Sequence, residues 1–234
     1  MFLRRFVLVI SIATTGSLAF AAAAIGAGGL GPGNYSFSSQ SADAFFGMGG
    51  KGGPPTAAWS VSVNQGLNTF RPRGSGGPIV ERNTMVFVTE FDASGNGGFG
   101  CFVVPDSAFT VGRDLQSASL HAVLSADEVC DGFGAPVGGK GGGPFAGGDG
   151  GLNLPITVDV TWTATTATST SSDVFTFRCL NFNMNGNSSF QSVQATATGS
   201  ISALPGTFTA AYTDVASGSS QLHVNAQYPQ ACSA

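Results

Sequence analysis

Thirteen carboxylates and two histidines are the side chains of this 234-residue chain first to be weighed for acid–base chemistry. Four of the carboxylates gather in one stretch: Asp127, Glu128 and Asp131 flank Cys130, and Asp149 follows in a Gly-rich loop. Grouped carboxylates offer hard oxygen ligands to calcium, or can divide acid and base roles in a hydrolase. These four are the weak candidates for either chemistry, but their irregular spacing assigns no roles and a solvated loop accounts for them. Asp92, Ser94, Asn96 and Gly97 match the opening of an EF-hand loop, yet Val103 stands where the bidentate Glu is required. A hairpin turn explains the same residues. Gly134–Lys140 has the form G-x-x-x-x-G-K, but Gly141 replaces the magnesium-binding hydroxyl and no strand–helix context surrounds it. His121 and His223 fall on the polar side of their local patterns, and no G-x-S-x-G elbow accompanies them. No catalytic residue, cofactor or metal site is therefore predicted.

The four cysteines, Cys101, Cys130, Cys179 and Cys232, carry a different chemistry. Their spacing contains no CxxC and matches no zinc module. An even number in an exported chain implies two disulfides. Nearest-neighbour pairing favours Cys101–Cys130 and Cys179–Cys232, the second pinning the C-terminal tail.

The N-terminus supports export. Arg4 and Arg5 precede an apolar stretch that runs to Phe20, and small-x-small patterns follow at Ala19–Ala21 and Ala21–Ala23. Residues 1–23 are thus expected to be a signal peptide, cleaved to leave a secreted or cell-surface protein with no membrane span. Cleavage would leave seven basic against thirteen acidic side chains, which disfavours nucleic acid as a partner. Residues 24–55 read as a Gly/Ala/Ser-rich, partly flexible leader, and 56–234 as a single domain.

What must position any site is β structure. Only 9% of residues are charged, 42% are hydrophobic, and no stretch has a helical period of useful length. Ala58 to Val63 alternates in polarity. Thr84–Phe91 and Phe99–Val104 flank a Gly/Asn turn as a hairpin. Ala118, Leu120, Ala122 and Leu124 alternate, as do Ile156, Val158, Val160 and Trp162 against Thr and Asp. One wet and one apolar face mark antiparallel sheet. Further strands are read at 174–180, 190–198, 207–213 and 221–226, with a turn at Asn185–Gly186. About nine strands with long Gly-rich loops predict an all-β, antiparallel β-sandwich, with a closed β-barrel as the alternative. Trp59, Trp162 and Tyr212 fall on core faces. Lys51 and Lys140 sit in two similar Gly-Gly-Lys-Gly-Gly loops, read as surface insertions.

Leu115, Ala118 and Leu120, followed by an acidic loop and then Val158, Val160, Thr161, Trp162 and Thr163, resemble a loose set of exported bacterial β proteins of no assigned activity. The likeness spans about a quarter of the chain and implies a bacterial, exported β fold, without catalytic residues to transfer. The resulting expectation is a non-enzymatic extracellular domain with a structural or protein-binding role. A carbohydrate or cell-wall binding module is the first alternative, and an extracellular hydrolase using the clustered carboxylates the second.

Overall fold

Ten strands, each antiparallel to its neighbours, form one continuous sheet in the computed structural model, which describes residues 31–48, 57–74, 76–92, 97–130, 152, 154–204 and 207–227. They are β1 (Gly33–Met48), β2 (Ala57–Pro72), β3 (Ile79–Asp92), β4 (Phe99–Val104), β5 (Phe109–Val111), β6 (Ser117–Leu124), β7 (Ile156–Ala164), β8 (Ser169–Cys179), β9 (Phe182–Ile201) and β10 (Phe208–Val224). The order across the sheet is β4-β3-β2-β1-β10-β9-β7-β6-β5, and β8 also pairs with β9. The expected all-β antiparallel architecture holds. Its layers come from one open sheet that bends over itself, and the sheet is not closed into a barrel.

Strand length divides the sheet in two. β9 is 20 residues long; its first part pairs with β8 and its last part with β7. β1, β2 and β10 are similarly long and run through both regions. In the first region the two flanks of the sheet fold together over the main core. Trp59, Val61, Val86 and Phe102 from one flank, and Leu120, Ile156, Val160 and Trp162 from the other, join a single apolar cluster. Trp162 Nε1 donates 2.7 Å to the carbonyl of Asp43, tying β7 to β1 across it. Phe109 packs edge-on against Trp162. Both tryptophans are buried, as their alternation requires; the side chain of Tyr212 lies outside the described residues.

The second region is an arm of six strands, β3-β2-β1-β10-β9-β8. Its apolar cluster is smaller: Tyr35, Phe37, Phe182, Leu222 and Val224, with Phe70, Phe175 and Met184 against it. Side chains alternate between faces along a strand, so residue parity assigns each cluster to a face. On β1 the main core takes Ala42, Ala44 and Phe46, whereas the arm cluster takes Tyr35 and Phe37. The pairing of β1 with β2 is continuous from Gly33↔Pro72 to Met48↔Ala57. The two clusters therefore lie on opposite faces of one unbroken sheet. The front face is apolar in the core region and polar in the arm; the back face does the reverse in the arm.

Two expectations are corrected here. Residues 33–48, read as part of a flexible leader, form β1, paired on both sides by β2 and β10. Asn185–Gly186 is not a turn but lies inside β9. Gly is required there for close approach: a Cβ on Gly186 would sit 2.5 Å from the Phe175 ring and 2.8 Å from the Gln221 carbonyl. The β8–β9 turn falls instead at Leu180, whose φ is 54°. The hairpin read from Thr84 to Val104 is present as β3–β4, in register Thr84↔Val104 to Thr89↔Phe99.

Candidate functional site

The front face changes character where Gln65, Thr84 and Asp106 meet. Gln65 Nε2 donates 3.0 Å to Thr84 Oγ1 and 3.0 Å to the Asp106 carbonyl, and Thr84 Oγ1 donates 2.8 Å to Asp106 Oδ1. Thr84 is fully buried, and these bonds satisfy its hydroxyl. Asp106 Oδ2 also pairs with Arg82 at 3.6 Å. On one side of this plug lies the main core; on the other the front face opens to solvent.

Beyond the plug the strand register lines up polar side chains in rows. One row runs Arg71, Asn34, His223, Asn185 from β2 through β1 and β10 to β9. The next runs Thr69, Ser36, Gln221, Asn187 and ends at Val174 on β8. These residues line an open cleft of about 710 Å³. His223 Nδ1 donates 2.8 Å to Asn34 Oδ1, which holds the exposed imidazole against β1. With neighbouring strands about 4.8 Å apart, five strands span about 19 Å, the length of several sugar rings or a short peptide. The lining offers amide, hydroxyl, imidazole and guanidinium groups, which hydrogen-bond a polar ligand and fix its orientation. The arm's aromatic residues belong to the back face, so the cleft has no aromatic stacking platform among the described residues.

A second feature lies on the back face of the core region. Asp43 on β1 and Asp214 on β10 stand side by side and hydrogen-bond each other, with Ser62 of β2 bonded to Asp43. Both side chains are half-buried. Removal from water is the main effect: it pushes Asp43 up to about 7, the Ser62 bond opposes it, and the Asp214 charge adds to it. Burial also raises Asp214, while its bond to Asp43 acts the other way. Both shifts let the pair keep a proton to higher pH than an exposed carboxyl would. The pair faces away from the cleft.

The carboxylates singled out in the sequence do not converge. Asp127 is exposed on a short 3₁₀ turn, Ala126–Glu128. Glu128 is committed to capping that turn: its Oε2 accepts from the Ser125 backbone N–H and hydroxyl, each at 3.2 Å. Asp131 and Asp149 lie outside the described residues, as do Lys51, Lys140 and the turn residues 93–96. Among the described residues no group of three or more His, Cys, Asp or Glu side chains could hold a metal ion. His121 is exposed and contacts Asp159 across β6 and β7. The Cys101–Cys130 disulfide is present, with Cα atoms 5.4 Å apart, and lies with Met85 in a small cluster. Cys179 is also disulfide-bonded; Cys232, the partner expected for it, is outside the described residues.

Neither the cleft nor the carboxyl pair was singled out from sequence. The signal for the cleft is a phase change: apolar residues move from odd positions (Tyr35, Phe37) to even ones (Ala42, Ala44, Phe46) within one strand. The signal for the pair is an Asp amid small and apolar strand residues, in Ala42-Asp43-Ala44 and Thr213-Asp214-Val215. Compared with known proteins, the chain matches no family model and no curated protein sequence. Among the described residues no helix is long and apolar enough to cross a membrane.

Proposed function

We propose that the protein is a secreted, non-enzymatic bacterial β domain that binds an extracellular glycan across the polar front face of its arm. One observation carries this reading: the register places rows of Asn, Gln, Ser, Thr and Arg side chains side by side over an open cleft, where a polyhydroxylated chain can exchange hydrogen bonds with several strands at once. The signal-like N-terminus and the resemblance to exported β proteins support the location. The carboxyl pair Asp43–Asp214 does not turn the cleft into a hydrolase site, because it lies on the other face.

A thermal-shift and calorimetric panel of cell-wall polysaccharides and simple glycans tests the reading, with calcium and a chelator as controls. A ligand of the native state raises Tm saturably. The expected result is a shift with at least one glycan that is lost when Asn185 and Gln221 are both replaced by Ala. No shift with any glycan overturns it.

A second reading rests on β8. Among the described residues this strand pairs only with β9, and Val174 and Leu180 are strongly exposed. An open edge accepts another strand through its free backbone groups, which supports a protein-binding role. Capture of an extended peptide that protects β8 amides from hydrogen exchange would favour it.

A further inference from the structure

Charge is sorted between the two faces of the arm. Strand alternation puts Arg71, Arg82, Arg178 and His223 on the front face. The same alternation puts the arm's strand carboxylates, Glu81 and Asp173, on the back. Asp106 reaches the front face from a 3₁₀ turn, and it pairs with Arg82 at the plug. Among the described residues, Arg71 and Arg178 face solvent on the front without a carboxylate partner. A chain with formal net charge −4 thus keeps a face that is locally basic and rich in amides.

We infer that the ligand of this cleft is an acidic, carboxylate-bearing polysaccharide. The inference rests on the glycan reading above and adds its charge. A planar guanidinium matches a carboxylate in a two-pronged contact. The Asn, Gln and Ser side chains between Arg71 and Val174 provide the donors and acceptors that sugar hydroxyls need. A neutral polymer would leave Arg71 unused. A polymer of carboxylated sugars crossing the strands meets the Arg71 row at one side of the cleft and can reach Arg178 at the β8–β9 end of the same face. Of the arm's two faces, the described strand arginines lie on the front and the strand carboxylates Glu81 and Asp173 on the back, which favours the front for an acidic polymer.

The test uses the full exported chain and isothermal titration against four probes: polygalacturonate, an uncharged galactan, a sulfated glycan and single-stranded DNA. The expected result is saturable binding of polygalacturonate, weakened by added salt, at least tenfold tighter than the galactan. Arg71→Gln should weaken it by about tenfold and flatten the salt dependence, whereas Arg113→Gln, at an exposed site that does not line the cleft, leaves it unchanged. Circular dichroism and Tm confirm that both variants fold. Equal binding of galactan and polygalacturonate, indifferent to Arg71→Gln, overturns the acidic ligand while leaving the glycan reading intact. Equal or tighter binding of the sulfated glycan or DNA overturns the carboxylate assignment. Binding of none of the four overturns this inference, and the wider glycan panel then decides the reading beneath it.

Discussion

The same four strands, β1, β2, β10 and β9, bury opposite faces at their two ends. In the core region their front residues meet a second layer and the apolar cluster is large. In the arm their back residues carry a small aromatic cluster, and the front is given over to polar rows. The backbone hydrogen bonding hardly changes between the two; the side-chain phase does. A sheet can thus be rigidly anchored at one end and present a flat, wet surface at the other. The larger apolar cluster belongs to the first region, and the second carries the surface proposed for recognition.

The sharpest way to break this division is to remove a core anchor. Trp162→Ala should cost about 3–5 kcal/mol, and because the long strands are shared, denaturant melts should show arm and core unfolding together. If arm fluorescence or exchange survived loss of the core, the arm would be a separate folding unit.

Next in size is the disulfide, which belongs to the core side. Replacing Cys101 and Cys130 by Ser opens a loop whose ends are 29 residues apart and should cost about 3–4 kcal/mol on the chain-entropy estimate. Glycan titration should be unaffected in the folded fraction.

The carboxyl pair gives a pH test of the core region. Asp43 moves from 3.8 to about 7 on folding, so the native state holds the proton more tightly. Its contribution is fully present below about pH 4 and is lost as pH rises to 7. Asp43→Asn, which mimics the protonated acid, should therefore be more stable than wild type at pH 8, by on the order of 2–3 kcal/mol once solvent screening of this half-buried group is allowed for. The advantage should vanish below pH 4. Parallel stability curves across that window would show that burial does not raise the Asp43 carboxyl.

The smallest effect is expected in the arm. Phe175→Ala uncovers Gly186 and Leu222 and should cost about 1–2 kcal/mol. Faster amide exchange should be confined to β8 and the first half of β9. A global loss of protection would make the arm cluster as important as the core.

Strict alternation was legible wherever a strand kept one phase. Ile156 to Trp162 and Ala118 to Leu124 were read correctly, with their buried faces, because a single core lies beside them. β1 was missed because Ser38 to Ser41 separate two phases, and a strand that changes its buried face looks patternless when one alternation is sought. Gly186 misled for a related reason: Asn-Gly signals a turn by local conformation, whereas here the missing Cβ makes room for a ring from β8. Asp43 and Asp214 are 171 residues apart, and the register that joins them is set by neither local sequence. The row of cleft residues is equally non-local, since Asn34 and His223 are separated by 189 positions.

That last pairing governs how the chain can fold. β10, the final strand of the sheet, inserts between β1, the first, and β9. Among the described strands, β1 stays half-paired until β10 has been made, so its second ladder closes only after the other strands exist. Pairings of such range are slow to close, on the order of milliseconds to seconds, and they leave a window in which the chain is still unfolded. The strand order itself thus imposes a delay between the making of β1 and its full pairing.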